Sequence, residues 1–545
     1  MASDPGQAPR ALALGWWAWL LLALAWFATL GGRALLDPDE GRYAEIPREM
    51  LASGDWVTPR FNDLKYFEKP PLQYWATAAI YAVAGVSPWS SRLWGVGLAF
   101  ACLPLVYFWT RRLYGAQAAL AALGALAVSP FYLVVGHLNL LDQAFTFFLT
   151  AAVLSFAWAQ VQPPGAAAER RGMLLAWACA ALAVLSKGIV VGVLAGGALV
   201  LYTLIERDGR TWRRLHVLPG AALLLLIALP WFVLVSRRNP SFPGFFFVHE
   251  HFARFLTTVH RRVEPWWFFL PLLLLAVLPW LPAAVRGVRA AWTAGAAPGE
   301  FRPLRFLAVY AAVTLVFFSA SGSKLAPYIL PLVPVLAVLA GVAVRDLRSF
   351  ARFATVSGAT LVVIVATGLL IYSARRNAFV PSAAIALSVA AAIAALAGLL
   401  LARLPRLGER TALAGAARAA LLAWQFLLCA YSVVPPARSA AALVAAVRPQ
   451  IAPATQLYSV GQYRETISPY LGRTLRLAAY EGELAFGLSE EPARRMSLEQ
   501  FGQAWGSAGA AVAFFEPEVW DRLRREGLPG RVIAADEHTV AVSRQ

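Results

Sequence analysis

Residues 71–86 read PLQYWATAAIYAVAGV, and whether this stretch crosses a bilayer or lies along its surface decides the topology of the whole chain. It follows Pro70, opens on Pro71, carries Gln73, Tyr74 and Trp75, and falls short of the ~20 residues a helix needs to span hydrocarbon. Around it lie thirteen further apolar runs, at 11–31, 90–110, 117–135, 143–160, 172–187, 189–205, 216–235, 266–285, 305–320, 327–343, 353–372, 382–402 and 413–433. Cytoplasmic turns of membrane proteins are enriched in lysine and arginine, so the arginine-bearing turns at 111–112, 170–171, 207–214, 286–289, 345–352 and 403–410 arbitrate. With 71–86 interfacial, every one of these turns faces the cytoplasm. With 71–86 as a span, all of them move outside. Thirteen spans is the consistent reading, and an odd count puts the C-terminal part outside.

Composition agrees with this. The 545 residues are 59% hydrophobic and 14% charged, with mean hydropathy +0.60, which excludes a water-soluble globule. The net charge of +18 is scattered through short turns, a pattern suited to anionic lipid and not to nucleic acid. Cys102, Cys179 and Cys429 each sit inside an apolar stretch, so neither a disulfide framework nor a zinc knuckle is available. Arg10 followed by an apolar run to about Leu30 reads as an uncleaved signal-anchor, since the run is long enough to span. Residues 435–545 change character: short alternating runs (Gln456–Val460, Ala511–Phe515, Arg531–Ala535, Thr539–Ser543) are broken by polar helical stretches such as 489–505. They read as a small external α/β domain. The chain is thus expected to be an α-helical integral membrane protein with a transmembrane domain at 1–434, including a first external loop at 32–89 with interfacial helices, and a C-terminal domain at 435–545.

Thirteen spans also put Asp39, Glu40, Glu68, Lys69, Asp142, His249, His251 and Lys324 at or near the external face. Ionisable side chains at membrane depth are costly and point to function. Lysine usage narrows the choice. Four lysines (Lys65, Lys69, Lys187, Lys324) stand against 44 arginines, so each retained ammonium is a candidate for a task that a compact charge performs. The first loop is the richest segment. Asp37 with Glu40 three residues on resembles a helix N-cap with a reciprocal acid, and Pro38 suits the first helical position. Glu40 therefore has a capping reading as well as a catalytic one. Asp39 is not needed for that cap. It lies in the first turn, where the helix dipole favours a carboxylate, with Arg42 and Tyr43 on the same face. Lys69, beside Glu68 at the boundary, is placed to hold a lipid-anchored phosphate or simply to snorkel. Asp142 either caps its span or contacts a sugar. Lys324, in a Gly/Ser turn, either binds phosphate or ends a helix.

The loop at 236–265 breaks the positive-inside trend with Arg237, Arg238, Arg254, Arg261 and Arg262. An external basic cluster calls for anionic partners, and lipid phosphates fit. His249 and His251, two apart, point to different helix faces and do not form a two-histidine metal site. One of them with Glu68 is a candidate for a divalent ion or a phosphate contact, and interfacial hydrogen bonding is the plain alternative.

The residues Asp39-Glu40-Gly41-Arg42-Tyr43, Gly54-Asp55-Trp56, Tyr66-Phe67-Glu68-Lys69-Pro70-Pro71-Leu72 and Glu250-His251-Phe252-Ala253-Arg254-Phe255 resemble the GT-C glycosyltransferases that use polyprenyl-phosphate sugars. Within them they are most similar to lipid A 4-amino-4-deoxy-L-arabinose transferases. That resemblance implies a donor of undecaprenyl phosphate–aminoarabinose, a lipid A phosphate as acceptor, resistance to polymyxin and other cationic peptides, and a multi-pass protein of a bacterial inner membrane working at the periplasmic face. It makes Asp39 the principal catalytic acid with Glu40 beside it. Lys69, Lys324 and Arg254 are then expected to hold the donor phosphate, and Tyr43, Asp142 and Glu68 the sugar. Arg42, Arg237, Arg238, Arg261 and Arg262 would meet the acceptor or anionic lipid. No cofactor is required on this reading, a divalent ion at Glu68 and His249 is the one option, and a monomer is expected. Two rivals remain: a protein O-mannosyltransferase-like enzyme, and a lipid transporter, which predicts repeated halves and midplane charges that the sequence does not display.

Overall fold

A computed structural model describes residues 14–253, 264–293, 295, 300–377, 380–434 and 438–544. The chain divides into two compact units. One comprises Met1–Leu30, Gly95–Val233 and Phe247–Val433; the other gathers Gly31–Trp94, Leu234–Phe246 and Val434–Gln545. The division therefore runs differently from a split at 434/435, because the first loop belongs to the same unit as the C-terminal segment.

The first unit is helical. Among the described residues, eight helices are long and apolar enough to cross a membrane, and three shorter apolar ones accompany them at Trp16–Phe27, Gly192–Glu206 and Ala326–Val342. The helix Pro88–Val128 counts once but is two helices joined at Gly115, whose φ of 85° and ψ of 175° break the ladder. Burial separates inner from outer members. The apolar stretch of Asp142–Gln160 is 78% buried, whereas that of Val217–Arg238 is 17% buried and presents leucine outward. Lipid gives helices no hydrophobic reason to associate, so close approach relies on small residues. A Cβ on Gly287 would lie 2.2 Å from the Leu339 carbonyl oxygen, and one on Gly341 would lie 2.6 Å from that of Ala118. Segment 71–86 forms the helix Leu72–Ala84, which is in the second unit and is not among the candidate spans.

The second unit centres on a five-stranded mixed sheet. With the short hairpin β1 (Arg60–Phe61) and β2 (Leu64–Lys65) preceding it, its strands are β3 (Gln456–Val460), β4 (Arg476–Ala478), β5 (Ala511–Phe515), β6 (Arg531–Ala535) and β7 (Val540–Ser543), in the order β4-β3-β5-β7-β6. β4, β3 and β5 are parallel, and β7 pairs antiparallel with β5 and β6. The helix Leu498–Ser507 starts on a reciprocal Ser497/Gln500 capping box and buries Phe501 and Trp505 against Tyr458 and Phe515.

Three chain segments close this unit. Asn62, at the hairpin tip with φ 54°, donates to the Leu475 carbonyl at 2.8 Å and accepts from the Leu475 N–H at 2.7 Å. Asn239 donates to Thr58 Oγ1 at 3.0 Å, and Phe242 meets the Phe67 ring edge-on at 5.3 Å. On the helix Asp39–Ser53, Gly41 lies so close to the Glu465 backbone that a Cβ would come within 2.5 Å of it. Glycine is required there by contact, not by its own dihedral angles.

Candidate active site

The expected capping arrangement at Asp37 and Glu40 does not form. Asp37 accepts from the Thr466 N–H at 2.8 Å and from Arg464 at 3.2 Å, so tertiary partners take the side chain that would have capped the helix. Glu40 is 2% exposed. It receives Arg33 at 2.8 Å and Arg92 at 2.7 Å, besides the Leu36 N–H at 3.1 Å. Burial alone would raise its pKa, but Arg33 and Arg92 hold the carboxyl well below the usual range. Glu40 thus corrects from a catalytic candidate to the anion of a buried ion cluster that fixes the start of this helix.

Asp39 is different. Its side chain is 42% exposed and takes Arg42 at 2.9 Å through Oδ1. Arg42 is buried, and its Nε donates to Glu483 Oε1 at 3.2 Å while Nη2 bonds Glu483 Oε2. Such two-point geometry orients a guanidinium rigidly, and through it the Asp39 carboxylate. Arg42 is accordingly committed within the protein and not open to an acceptor lipid, a correction to its expected role. Its guanidinium lies 5.8 Å from the Tyr43 ring and 6.0 Å from the Tyr66 ring. Tyr43 is buried and stacks on Tyr74 at 6.3 Å.

The surroundings of Arg42 are rich in carboxyl groups. Burial pushes Glu483 up against the pull of Arg42, with Glu68 and Asp39 adding repulsion. Burial, Glu483 and Asp37 push Glu465 up to about 8. Glu68 faces Lys69 at 3.8 Å, and the Lys69 ammonium donates to the Glu68 carbonyl at 2.8 Å. The Tyr66 and Tyr74 hydroxyls are buried with no hydrogen-bond partner among the described residues. An unmet buried hydroxyl costs about 1–3 kcal/mol, so this cluster is short of polar contacts. Glu465 and Glu483 escape sequence reading because both lie in the segment 435–545, which displays no motif. The only available hint was an acid beside a glycine and an aromatic pair in AAYEGELAFG, 478–487.

Elsewhere, Asp142 forms a close ion pair with Lys187, whose ammonium lies 4.4 Å from the Tyr328 ring and 5.2 Å from that of Phe145. Lys187 has a defined partner where sequence left its role open, and Asp142 is engaged by it. Lys324 is 7% exposed and donates to the carbonyls of Ser321 at 2.7 Å and Glu264 at 3.0 Å. Its ammonium therefore secures a turn and is not displayed to a phosphate, correcting that expectation. Arg238 pairs with Asp55 at 3.1 Å while remaining 57% exposed, and Arg237 is exposed. Arg254, Arg261 and Arg262 lie outside the described residues. His249 faces Glu250 at 3.4 Å. Glu68 and His249 fall in different units, and among the described residues no three His, Cys, Asp or Glu side chains gather as a metal site.

A crystal structure of ArnT from Cupriavidus metallidurans bound to undecaprenyl phosphate is 34% identical to this chain, covers 97% of both chains and superposes with a TM-score of 0.86. The chain belongs to the ArnT family. Two family descriptions match within it: "Aminoarabinose transferase C-terminal domain" over residues 443–544 and "Dolichyl-phosphate-mannose-protein mannosyltransferase" over residues 20–246. The undecaprenyl phosphate-alpha-4-amino-4-deoxy-L-arabinose arabinosyl transferase of Pseudomonas paraeruginosa is 37% identical over 336 residues, which is 60% of this chain and 59% of that protein. The matched region thus spans under two thirds of such curated relatives. An oligosaccharyltransferase from Archaeoglobus fulgidus, 14% identical, covers 92% of this chain and 70% of its own with a TM-score of 0.52, which extends the GT-C fold beyond the ArnT family.

Proposed function

We propose that this protein transfers 4-amino-4-deoxy-L-arabinose from undecaprenyl phosphate to a phosphate of lipid A, as a monomer at the periplasmic face of a bacterial inner membrane. The added amine would lower surface negative charge and with it the attraction of polymyxin and other cationic peptides. The observation that carries the reading is the carboxyl-rich cluster around Arg42, next to two unpartnered tyrosine hydroxyls. A sugar bearing an ammonium and hydroxyls would add positive charge where the carboxyl groups of Asp39, Glu68, Glu465 and Glu483 outnumber the cations Arg42 and Lys69, and acceptors or donors for Tyr66 and Tyr74. A neutral hexose would supply only the second.

In the reaction the acceptor phosphate attacks the anomeric carbon, and the bond to the undecaprenyl phosphate oxygen breaks with its electron pair leaving on that phosphate. The acceptor is already deprotonated at neutral pH, so a general base is scarcely needed. Asp39, held by Arg42, would then stabilise the positive charge that develops at the anomeric centre, as a carboxylate does in glycoside transfer. Lys69 would offset the charge of the departing phosphate. Arg254 is carried forward as a second phosphate contact on the family resemblance.

In purified, reconstituted protein, Asp39→Asn is expected to lower the rate of sugar transfer from donor lipid to lipid A roughly 100- to 1,000-fold, and Lys69→Ala to do likewise, both with unchanged thermal stability. Near-normal turnover in Asp39→Asn would end the catalytic assignment. A second reading, transfer to a polypeptide hydroxyl, is favoured by the mannosyltransferase match at residues 20–246. Mass analysis of lipid A and of envelope proteins from a deletion strain decides between the two.

A further inference from the structure

A cavity of about 620 Å3 lies in the helical unit, away from every residue assigned above. Its inner wall is Trp280, Val344 and Phe350, its open side is Phe353, 43% exposed, and its rim carries Arg286 and Arg345. The cavity has a local cause. Pro279 falls within a 3-10 turn, Leu278–Trp280, that interrupts an otherwise helical stretch, and Pro282 follows in the next helix, Leu281–Thr293. Proline withdraws an N–H and crowds the preceding turn, so the helix is offset at this point. Gly287, one turn on, is meanwhile in close contact with Leu339. The wedge left open faces the turn that enters the helix Leu347–Asn377.

Two features of its lining lack partners. The Trp280 side chain is fully buried, yet its indole N–H makes no hydrogen bond among the described residues. Arg286 and Arg345 are exposed, and neither guanidinium makes a hydrogen bond or an ion pair among the described residues. Asp346 also lines the cavity, but its oxygens accept from the Arg348 and Ser349 N–H groups at 3.1 and 3.0 Å. Its charge is therefore directed at that helix start and away from the arginines. An apolar wall and two guanidiniums at its mouth, unpaired among the described residues, match a single amphiphilic anion.

We infer that this cavity binds an anionic phospholipid, with the phosphodiester between Arg286 and Arg345 and an acyl chain lying along Val344 and Phe350 and leaving past Phe353. The inference is independent of the transfer reaction proposed above.

The test uses the full chain in detergent, delipidated and then offered phosphatidylglycerol or phosphatidylcholine, with bound lipid counted by native mass spectrometry. The unsubstituted chain is expected to retain phosphatidylglycerol and not phosphatidylcholine. Arg286→Gln/Arg345→Gln should lower that retention roughly tenfold or more, while Arg289→Gln/Arg352→Gln, which removes the same charge from neighbouring exposed positions, should leave it unchanged. Equal retention of the two lipids, undiminished retention in the Arg286/Arg345 pair, or an equal loss in the neighbouring pair overturns the inference. Should the Arg286/Arg345 pair not fold, undiminished retention by Arg345→Gln overturns it alone.

Discussion

Asp39 and Glu40 are adjacent and chemically alike, yet one side chain is 42% exposed and the other 2%. The difference separates turnover from stability. Glu40→Gln leaves Arg33 and Arg92 buried around a neutral amide, and breaking a buried ion cluster from one side costs about 3–5 kcal/mol. That variant should unfold at a clearly lower temperature, whereas Asp39→Asn should melt like the unsubstituted protein and lose transfer. A normal melting curve for Glu40→Gln would mean that the two arginines do not depend on it. Gly41→Ala belongs with Glu40: the methyl group would enter the Glu465 backbone, and overpacking of that kind costs about 1–3 kcal/mol, read by the same melt. The identity of Asp39 as a candidate was legible because its neighbours in sequence are its neighbours on the helix. The true role of Glu40 was not, because Arg92, one of its two guanidinium partners, lies 52 residues away in sequence and only the fold brings it close.

At the scale of elements, β3, β5 and β6 coincide in bounds with runs read from sequence as alternating, yet β5 is buried throughout and β3 at all but its first residue, as interior strands covered on both faces are. β4 has only three residues, Arg476–Ala478, too few to display alternation, and it exists through its parallel pairing with β3. The helix Asp39–Ser53 similarly depends on what it meets. Its partner segment carries Glu465, whose carboxyl is pushed up to about 8 by burial, by Glu483 and by Asp37. Between the ordinary carboxyl value and about 8, the folded protein keeps a proton on Glu465 that the unfolded chain has released. Unfolding then gives up protons, so stability is greatest below the ordinary value and falls as pH rises toward about 8. Burial raises Glu49 and Glu483 as well, adding to the same trend, and the lowered Glu40 opposes it only at pH far more acidic than this window. Melting temperature measured from pH 5 to 8.5 should decline, and Glu465→Gln should flatten part of that decline. An identical slope in the variant would remove Glu465 from the account.

For the whole molecule, the helical membrane character was legible from hydropathy, because lipid imposes its constraint residue by residue; of the thirteen spans expected, eight helices among the described residues are long and apolar enough to cross, and three shorter apolar ones accompany them. The composition of the second unit was not legible, because it is assembled from three segments whose mutual contacts no local pattern encodes. That assembly carries a consequence for the C-terminal segment, which sequence treats as an appendage. Removing it strips Glu483 from Arg42, Leu475 from Asn62 and the Glu465 backbone from Gly41. The first loop would then retain Asp39 and Lys69 but lose the groups that orient Arg42 and pair the hairpin. A chain ending at Val434 should therefore insert in membranes yet transfer no sugar, and trypsin should cut it at Arg42, Arg48 or Arg60, sites that folding shields in the intact protein. Supplying residues 435–545 separately would restore protection only if those contacts are strong enough to reassemble without a peptide link, and the covalent chain is expected to be needed. Should the shortened protein resist trypsin in the first loop and transfer sugar at the normal rate, the C-terminal segment would be dispensable and Glu483 would have no part in orienting Asp39. Glu483→Gln in the full chain isolates the second point: it leaves the segment in place, keeps one hydrogen bond to Arg42, and should lower the maximal rate more than it changes the donor concentration needed for half of it.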